Sequence, residues 1–515
     1  MIILGCGLGA LTFLALAVAT FYGEEDLRGA AAWDQAREQI EAQGISLKRD
    51  DYIPRMPAPE QNFGALPFFA IVPDRKSEWA QGMTDAALEK ALEPLVSRMP
   101  YSKNDKQDVA DSLPFLEKWS EGTKPDLQAL HARLVDMVGK INPGTTPPTN
   151  ADSLTLFSEI CPALAELRDA NASRPLCVFP RNYNVQPPTE FSFEPDTELL
   201  LLLRVLTYEE RLALYSGQPQ LALDDLAVGR KIVLGLQKDP FVVSGLIACA
   251  FAQNQNLVIQ QGLADHLWTD AQLRQLEMDV GSFDALASGR FWFKGEIVAY
   301  NIPVSLYYAS HRWVSDDVFR NFQDKMFDLD YHPPLLAKVS FYLTPRGWLD
   351  LDRAAYDQYH LLGTAALIDP AKHRVYADRK KSLEETVKGK KSWTFWSEPL
   401  IEDNSITNSI TCFAFVQAGI DQARIACRLE RCRLAHGVYP AALDALAPDY
   451  GAALPQDIMN GEPYHYRLRE DGSYLLYSVA WNQEDDHGEH ATTRDQKPMD
   501  ALDWVWPSRY EKADE

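Results

Sequence analysis

Basic residues are in short supply in this chain. Lys and Arg number 50 against 73 Asp and Glu, a net charge of −23 over 515 residues. A chain this acidic is repelled by nucleic acid and by anionic lipid, so neither is expected as a charge-driven partner. Histidine is also sparse, with 10 residues. The seven cysteines form no CxxC pair of the kind that holds zinc. There is no Gly-x-Ser-x-Gly elbow, Walker loop, dinucleotide fingerprint or His-Glu-x-x-His helix. Those absences remove the best-marked enzyme classes. They leave open an enzyme whose groups are dispersed along the chain.

The first charge-free run is what stands out. Ile2 to Tyr22 carries no charge, and about 20 apolar residues suffice to cross the hydrocarbon layer as a helix. The flank is acidic, with Glu24, Glu25 and Asp26. No Lys or Arg precedes the run, so the positive-inside rule is silent there. The expectation is an uncleaved anchor over residues 1–23, single-pass in the inner (cytoplasmic) membrane, with the bulk of the chain extracytoplasmic. A cleaved signal peptide is the rival, because Ala17-Val18-Ala19 is an acceptable triplet, although a basic n-region is missing. Ile3-Leu4-Gly5-Cys6 precedes the apolar run, where a lipoprotein box would follow it. No second span is expected: the run Leu199–Leu206 is short and is followed by Glu209 and Glu210.

Ordinary apolar content, 46%, supports a sizeable core. The fold class expected is α+β, mostly α. The anchor is followed by a helical and linker region over 24–150, an α-helical domain over 151–385, a lysine-bearing connector over 386–404 and a small α/β domain over 405–515. Punctuation supports this division. A helix beyond the anchor should end at Gly44. Helices are also expected around 78–100 and 126–138, with a loop at Asn142–Asp152. A helix should start near Asp152 and break at Pro162. Others should end at Gly217, begin at Pro219, and begin under a Thr269 cap. Long helices joined by short turns read as antiparallel hairpins.

Cys427 and Cys432 sit five apart on an expected helix, about 140° around it, and cannot bridge within it. Cys161 and Cys177 flank a helix and its return loop. A disulfide and two buried thiols are both compatible with that spacing in an exported chain. The paired acids Glu209-Glu210 and Asp224-Asp225 point to different helix faces and read as surface charge. The aromatic stretch "GRFWFKGEIVAYN", with Glu296, reads first as core packing and second as the lining of a groove.

The last hundred residues are more specific. A long helix from Ser405 ends at Gly437. Tyr439-Pro440 leaves it, Leu443 and Leu446 mark a short helix, and Leu454-Pro455 with Asp457 a loop. Gly461, Pro463, Tyr464 and Tyr466 lead into one strand, and an Asp471-Gly472 turn leads to a second that carries Tyr477 and Ser478. This order resembles the globular head of the major pseudopilin of type II secretion systems. The departures are plain. The apolar segment lies hundreds of residues upstream instead of in the head's own helix. No prepilin cleavage motif is present, and Ala480 stands where the family has glycine. The whole layout resembles membrane-anchored bacterial proteins with a helical middle and such a tail, a class with no established activity.

The candidate site is the acidic loop after the second strand. Asn482, Glu484, Asp485, Asp486, His487, Glu489 and His490 fall close together. The resemblance implies a calcium-stabilised loop, with Asn482, Asp485 and Asp486 as the metal-site residues. EF-hand spacing is absent, a solvated acidic loop is the plainer reading, and transition-metal binding with His487 or His490 as a softer ligand is a third. The function expected is a non-enzymatic scaffold that contacts the membrane through its N-terminal helix and presents its helical domain and pseudopilin-like head to another protein. The alternative is an exported hydrolase.

Overall fold

The computed structural model describes residues 2–69, 131–132, 134–135, 152–186, 188, 191, 194–311, 343–380, 405–446, 453–489 and 502–506. The helix expected around 78–100, most of those expected at 126–138 and in the 142–152 loop, the 386–404 connector and His490 lie outside the described residues.

The protein is mostly helical, with a few short strands. Helix α1, Ile2–Ala42, is one unbroken element of 41 residues. The sequence suggested an anchor followed by a second short helix, but Gly23 interrupts nothing. A single glycine costs a helix only about 1 kcal/mol, and the Ala-rich run after it restores the propensity. Gly44, in the left-handed region at φ 71°, follows the helix end as expected.

The second half of α1 packs along a later helix, α10, Arg346–Leu367. At their closest approach Gly29 faces Gly347, and a Cβ on either would overlap the other helix's backbone. Asp26 Oδ1 accepts from the Gly347 amide at 2.8 Å, and Glu25 Oε2 accepts from the Trp348 indole at 2.7 Å. The acidic residues after the apolar run therefore cap α10.

Between these two helices the chain builds the body. Helix α2, Ser153–Ile160, is capped by Asp152 through the Thr155 amide. The chain breaks at Pro162 before α3, Ala163–Ser173. Helix α4, Glu194–Tyr215, turns at Gly217 into α5, Pro219–Leu236, which has proline in its first turn. Helix α6, Val242–Ala264, follows. Thr269 and Gln272 form a full capping box at the start of α7, Asp270–Gly281. Helix α8, Ala285–Gly295, runs into a π-turn, Glu296–Asn301, and then α9, Ile302–His311.

Among the described helices, α6 is long and apolar enough to cross a membrane by length and composition. However, 61% of its apolar window is buried inside the protein. The Trp268 indole donates to its Ile259 carbonyl at 3.2 Å, and Trp268 and Trp292 are both buried. Helix α6 is the central core helix of the body.

After α10 a short antiparallel pair, β1 (Ile368–Asp369) and β2 (Arg374–Val375), leads to helix α11, Ser405–His436. Strands β3 (His465–Leu468), β4 (Tyr474–Ser478) and β5 (Trp504–Trp506) form an antiparallel meander in the order β3-β4-β5. In register, His465 faces Tyr477 and Ser478 faces Trp504.

Helix α11 is buried among α6, α7 and α8, and one hydrophobic cluster spans the helical body and the C-terminal strands. The Phe413 ring packs 5.3 Å from Trp292. Arg428 meets Glu277 at 2.6 Å, and Arg431 meets Asp270 at 2.9 Å. The polar stripe of α11 thus faces α7, not solvent.

Candidate functional site

The C-terminal module is built on the end of α11. Gly437 takes φ 81°, and its amide donates to the Arg433 carbonyl at 2.7 Å, closing the helix with a left-handed residue. The Tyr439 hydroxyl then donates back to Glu430 at 2.7 Å, and the Tyr466 hydroxyl donates to the Pro440 carbonyl at 2.7 Å. Leu443 and Leu446 are buried beneath this corner.

Asp457 is the buried centre of the loop that follows. Its Oδ1 accepts from Ser478 Oγ at 2.9 Å and from the Met459 amide at 3.0 Å, and its Oδ2 accepts from the Val479 amide at 3.0 Å. Burial pushes its carboxyl up, against these three donors. The carboxylate thereby ties the loop to the end of β4. Two positions later Ala480 has φ 51°, the left-handed region that favours glycine.

The acidic loop leaves from there. Gln483 and His487 also have positive φ, at 61° and 62°. Three left-handed non-glycine residues within a short loop mark a backbone held by its surroundings. Asn482 is exposed, and its amide donates to Asp486 Oδ2 at 2.8 Å. The Asp485 carboxylate accepts from the Tyr477 hydroxyl and the His487 amide, both at 2.9 Å. Against the upward effect of burial, those donors and the nearby His465 and His487 rings hold its carboxyl below the usual range.

One residue of this loop cluster was not read from the sequence. Asp503, just before β5, is 1% exposed. Its Oδ2 accepts from the Gly488 amide at 2.8 Å, while its Oδ1 has no partner among the described residues. Burial, joined by the negative charge of Asp486 and Asp485, pushes its carboxyl up to about 6. A cation set among Asp485, Asp486 and Asp503 would reverse that. The β-prone Trp-Val-Trp triplet brings Asp503 back beside the loop, but it is too short to be read as a strand from the sequence. No group of three His, Cys, Asp or Glu among the described residues is already arranged as a metal site.

The other sequence candidates fall as follows. Glu209, Glu210 and Asp225 are buried, not surface charge, and only Asp224 is exposed. Arg168 Nη1 lies 2.6 Å from Glu209 Oε2 and 2.5 Å from Asp225 Oδ1. The carboxylates pair across helices α3, α4 and α5, which adjacency in sequence does not reveal. Burial, and next the Glu209 charge, raises the Asp225 carboxyl. Burial raises Glu210 to about 8. Cys161 and Cys177 are buried free thiols. In "GRFWFKGEIVAYN", Trp292 and Phe293 are core, whereas Tyr300 lines a pocket.

No protein-family model, curated protein or solved structure matches this chain.

Proposed function

We propose that this is a membrane-anchored extracytoplasmic protein that holds a helical body and a pseudopilin-like head for contact with another protein. The observation that carries the reading is the first half of α1. Leu11, Phe13, Leu14, Leu16 and Val18 are each at least 47% exposed, so the folded body does not cover them. A contiguous apolar surface of this kind marks a membrane or partner contact. The same helix continues into its packing on α10. The head reading is supported by the left-handed backbone at Ala480, where the resembled family has glycine, and by the buried Asp457–Ser478 pair at two of the resembled positions.

Affinity capture of the full-length protein from detergent-solubilised membranes tests the contact role. A partner retained in fixed proportion is the expected result. Hydrolytic turnover by the purified protein, abolished by one carboxylate or histidine substitution, would replace this reading with the hydrolase one.

The loop holding Asn482, Asp485 and Asp486 is proposed to take calcium weakly, with Asp503 supplying a further oxygen. Calcium bound only to the folded state stabilises it by about 2.7 kcal/mol at a hundredfold excess over Kd. The expected result is a higher melting temperature of the full-length protein in calcium than in chelator, abolished by Asp485→Ala with Asp486→Ala. Identical melting curves in the two buffers would leave the loop as solvated surface.

A further inference from the structure

The π-turn Glu296–Asn301 opens a small pocket that the reading above does not use. Its cavity of about 90 Å³ lies between that turn, the start of α6 and the residues Tyr183, Val185, Gln186, Pro188 and Phe191. Four rings form its apolar wall. Phe191 and Phe241 lie 4.7 Å apart, Tyr183 stacks on Phe241 at 6.1 Å, and Tyr300 meets Phe241 edge-on at 6.2 Å. π-turns are rare and gather at functional sites, and this one contributes both the Tyr300 ring and the Ala299 carbonyl.

The polar side of the wall is Arg49. Its Nε donates to the Ala299 carbonyl at 3.2 Å, one Nη to Asn184 Oδ1 at 2.8 Å and the other Nη to the Tyr183 carbonyl. These acceptors fix the guanidinium without neutralising it. A guanidinium has five N–H groups, so one on each terminal nitrogen is left over. No carboxylate among the described residues pairs with Arg49. By contrast, Arg168, Arg181, Arg428 and Arg431 each meet one within 3 Å. In a chain of net charge −23, a half-buried arginine that forms no ion pair with a described acid, although Asp50 and Asp51 follow it in the same turn, marks an anion position. The acids behind the wall are already engaged. Asp239 is paired with Arg181 at 2.5 Å and takes the Tyr183 hydroxyl at 2.9 Å. Glu296 accepts the Val242 amide at 2.8 Å, and burial raises its carboxyl.

We propose that this pocket binds a carboxylate carried on a small aliphatic body, with the carboxylate on Arg49 and the body against the four rings. An aromatic wall would otherwise suit an organic cation, but Arg49 repels one. The volume decides the size of the body. An engineered cavity of about 150 Å³ takes benzene, so this one suits a group of three to five carbons. The same chemistry is offered by a free short-chain acid and by the C-terminal residue of a peptide.

The test is saturation-transfer NMR and calorimetry on the full-length protein in detergent, with isovalerate, N-acetylvaline, isovaleramide and isoamylamine as probes. Saturable binding of isovalerate or N-acetylvaline is expected, with the amide weaker by about tenfold or more and the amine not binding. Stronger binding of N-acetylvaline identifies a peptide terminus as the source, and stronger binding of isovalerate a free acid. Arg49→Gln should weaken the carboxylate by a similar factor. Because Arg49 also braces three acceptors, Val185→Trp serves as the second variant. It fills the pocket from its half-buried rim, leaves Arg49 in place and should block binding. No saturable binding of either carboxylate, equal affinity for acid and amide, or binding that survives Val185→Trp would overturn the proposal.

Discussion

Replacing Arg168 with alanine is expected to lower the unfolding free energy by about 3–5 kcal/mol, the range for breaking a buried ion pair from one side. Arg168 Nη1 stands within 2.6 Å of carboxylates from two different helices, and neither carboxylate has any exposed side-chain surface. Ser158 Oγ adds a hydrogen bond to Glu209 at 3.2 Å, and Asp225 Oδ2 has no described partner. Without the guanidinium, two acids share a dry site and repel one another. Burial already raises Asp225 and Glu210, so a further unpaired charge in this site is costly. Urea denaturation of the variant measures the loss. Adding Glu209→Gln and Asp225→Asn to Arg168→Ala should recover part of it, because a neutral site needs no counter-charge. A loss within about 0.5 kcal/mol, the range for surface substitutions, would show that the three side chains do not form a coupled network.

Asp457→Ala is expected to cost about 3–5 kcal/mol. The carboxylate is fully buried and accepts three hydrogen bonds. Alanine leaves the Met459 and Val479 amides and the Ser478 hydroxyl without an acceptor, at about 1–3 kcal/mol for each buried group left unsatisfied. Asp457→Asn keeps one carbonyl oxygen and the side-chain shape, so its loss should be roughly half as large. Hydrogen exchange locates the effect. The Val479 and Met459 amides should lose protection first, and those of α5 last. Uniform loss across the chain, or none at Val479, would contradict the view of Asp457 as the tie between the loop and β4.

Local backbone chemistry was legible in the sequence. Asp152, Pro162, Gly217, Pro219, Thr269 and Gly437 each act where their residue types dictate, because caps and breakers work through neighbouring amides. Burial of charge was not legible. By helical spacing Arg428 and Arg431 fall on the polar faces of α11, yet both are buried against Glu277 and Asp270 of α7. Periodicity shows that a helix has two faces. It does not show that a second helix, 150 residues away, supplies opposite charge to the polar one. Glu209 and Asp225 hid for the same reason. Strand β5 was missed because three residues give too short a period to read. The acidic loop was found, but Asp503 arrives with β5. The Arg49 pocket draws on four separate segments, and only the Tyr300 stretch had an unusual composition.

Membrane partition of the full-length protein against a form lacking residues 1–23 tests the central claim most directly. The deletion removes Leu11 to Tyr22, including the Phe21–Trp348 ring contact and the Tyr22 hydrogen bond to the Leu343 carbonyl, but leaves Glu25, Asp26 and Gly29, which hold α1 against α10. The full-length protein should sediment with membranes, resist salt and alkaline washes, and leave only in detergent. The truncated form should remain in the supernatant, folded, with a cooperative circular dichroism melt. Full-length protein that is soluble without detergent, or that begins at Thr20 when isolated from its host, would contradict the anchor.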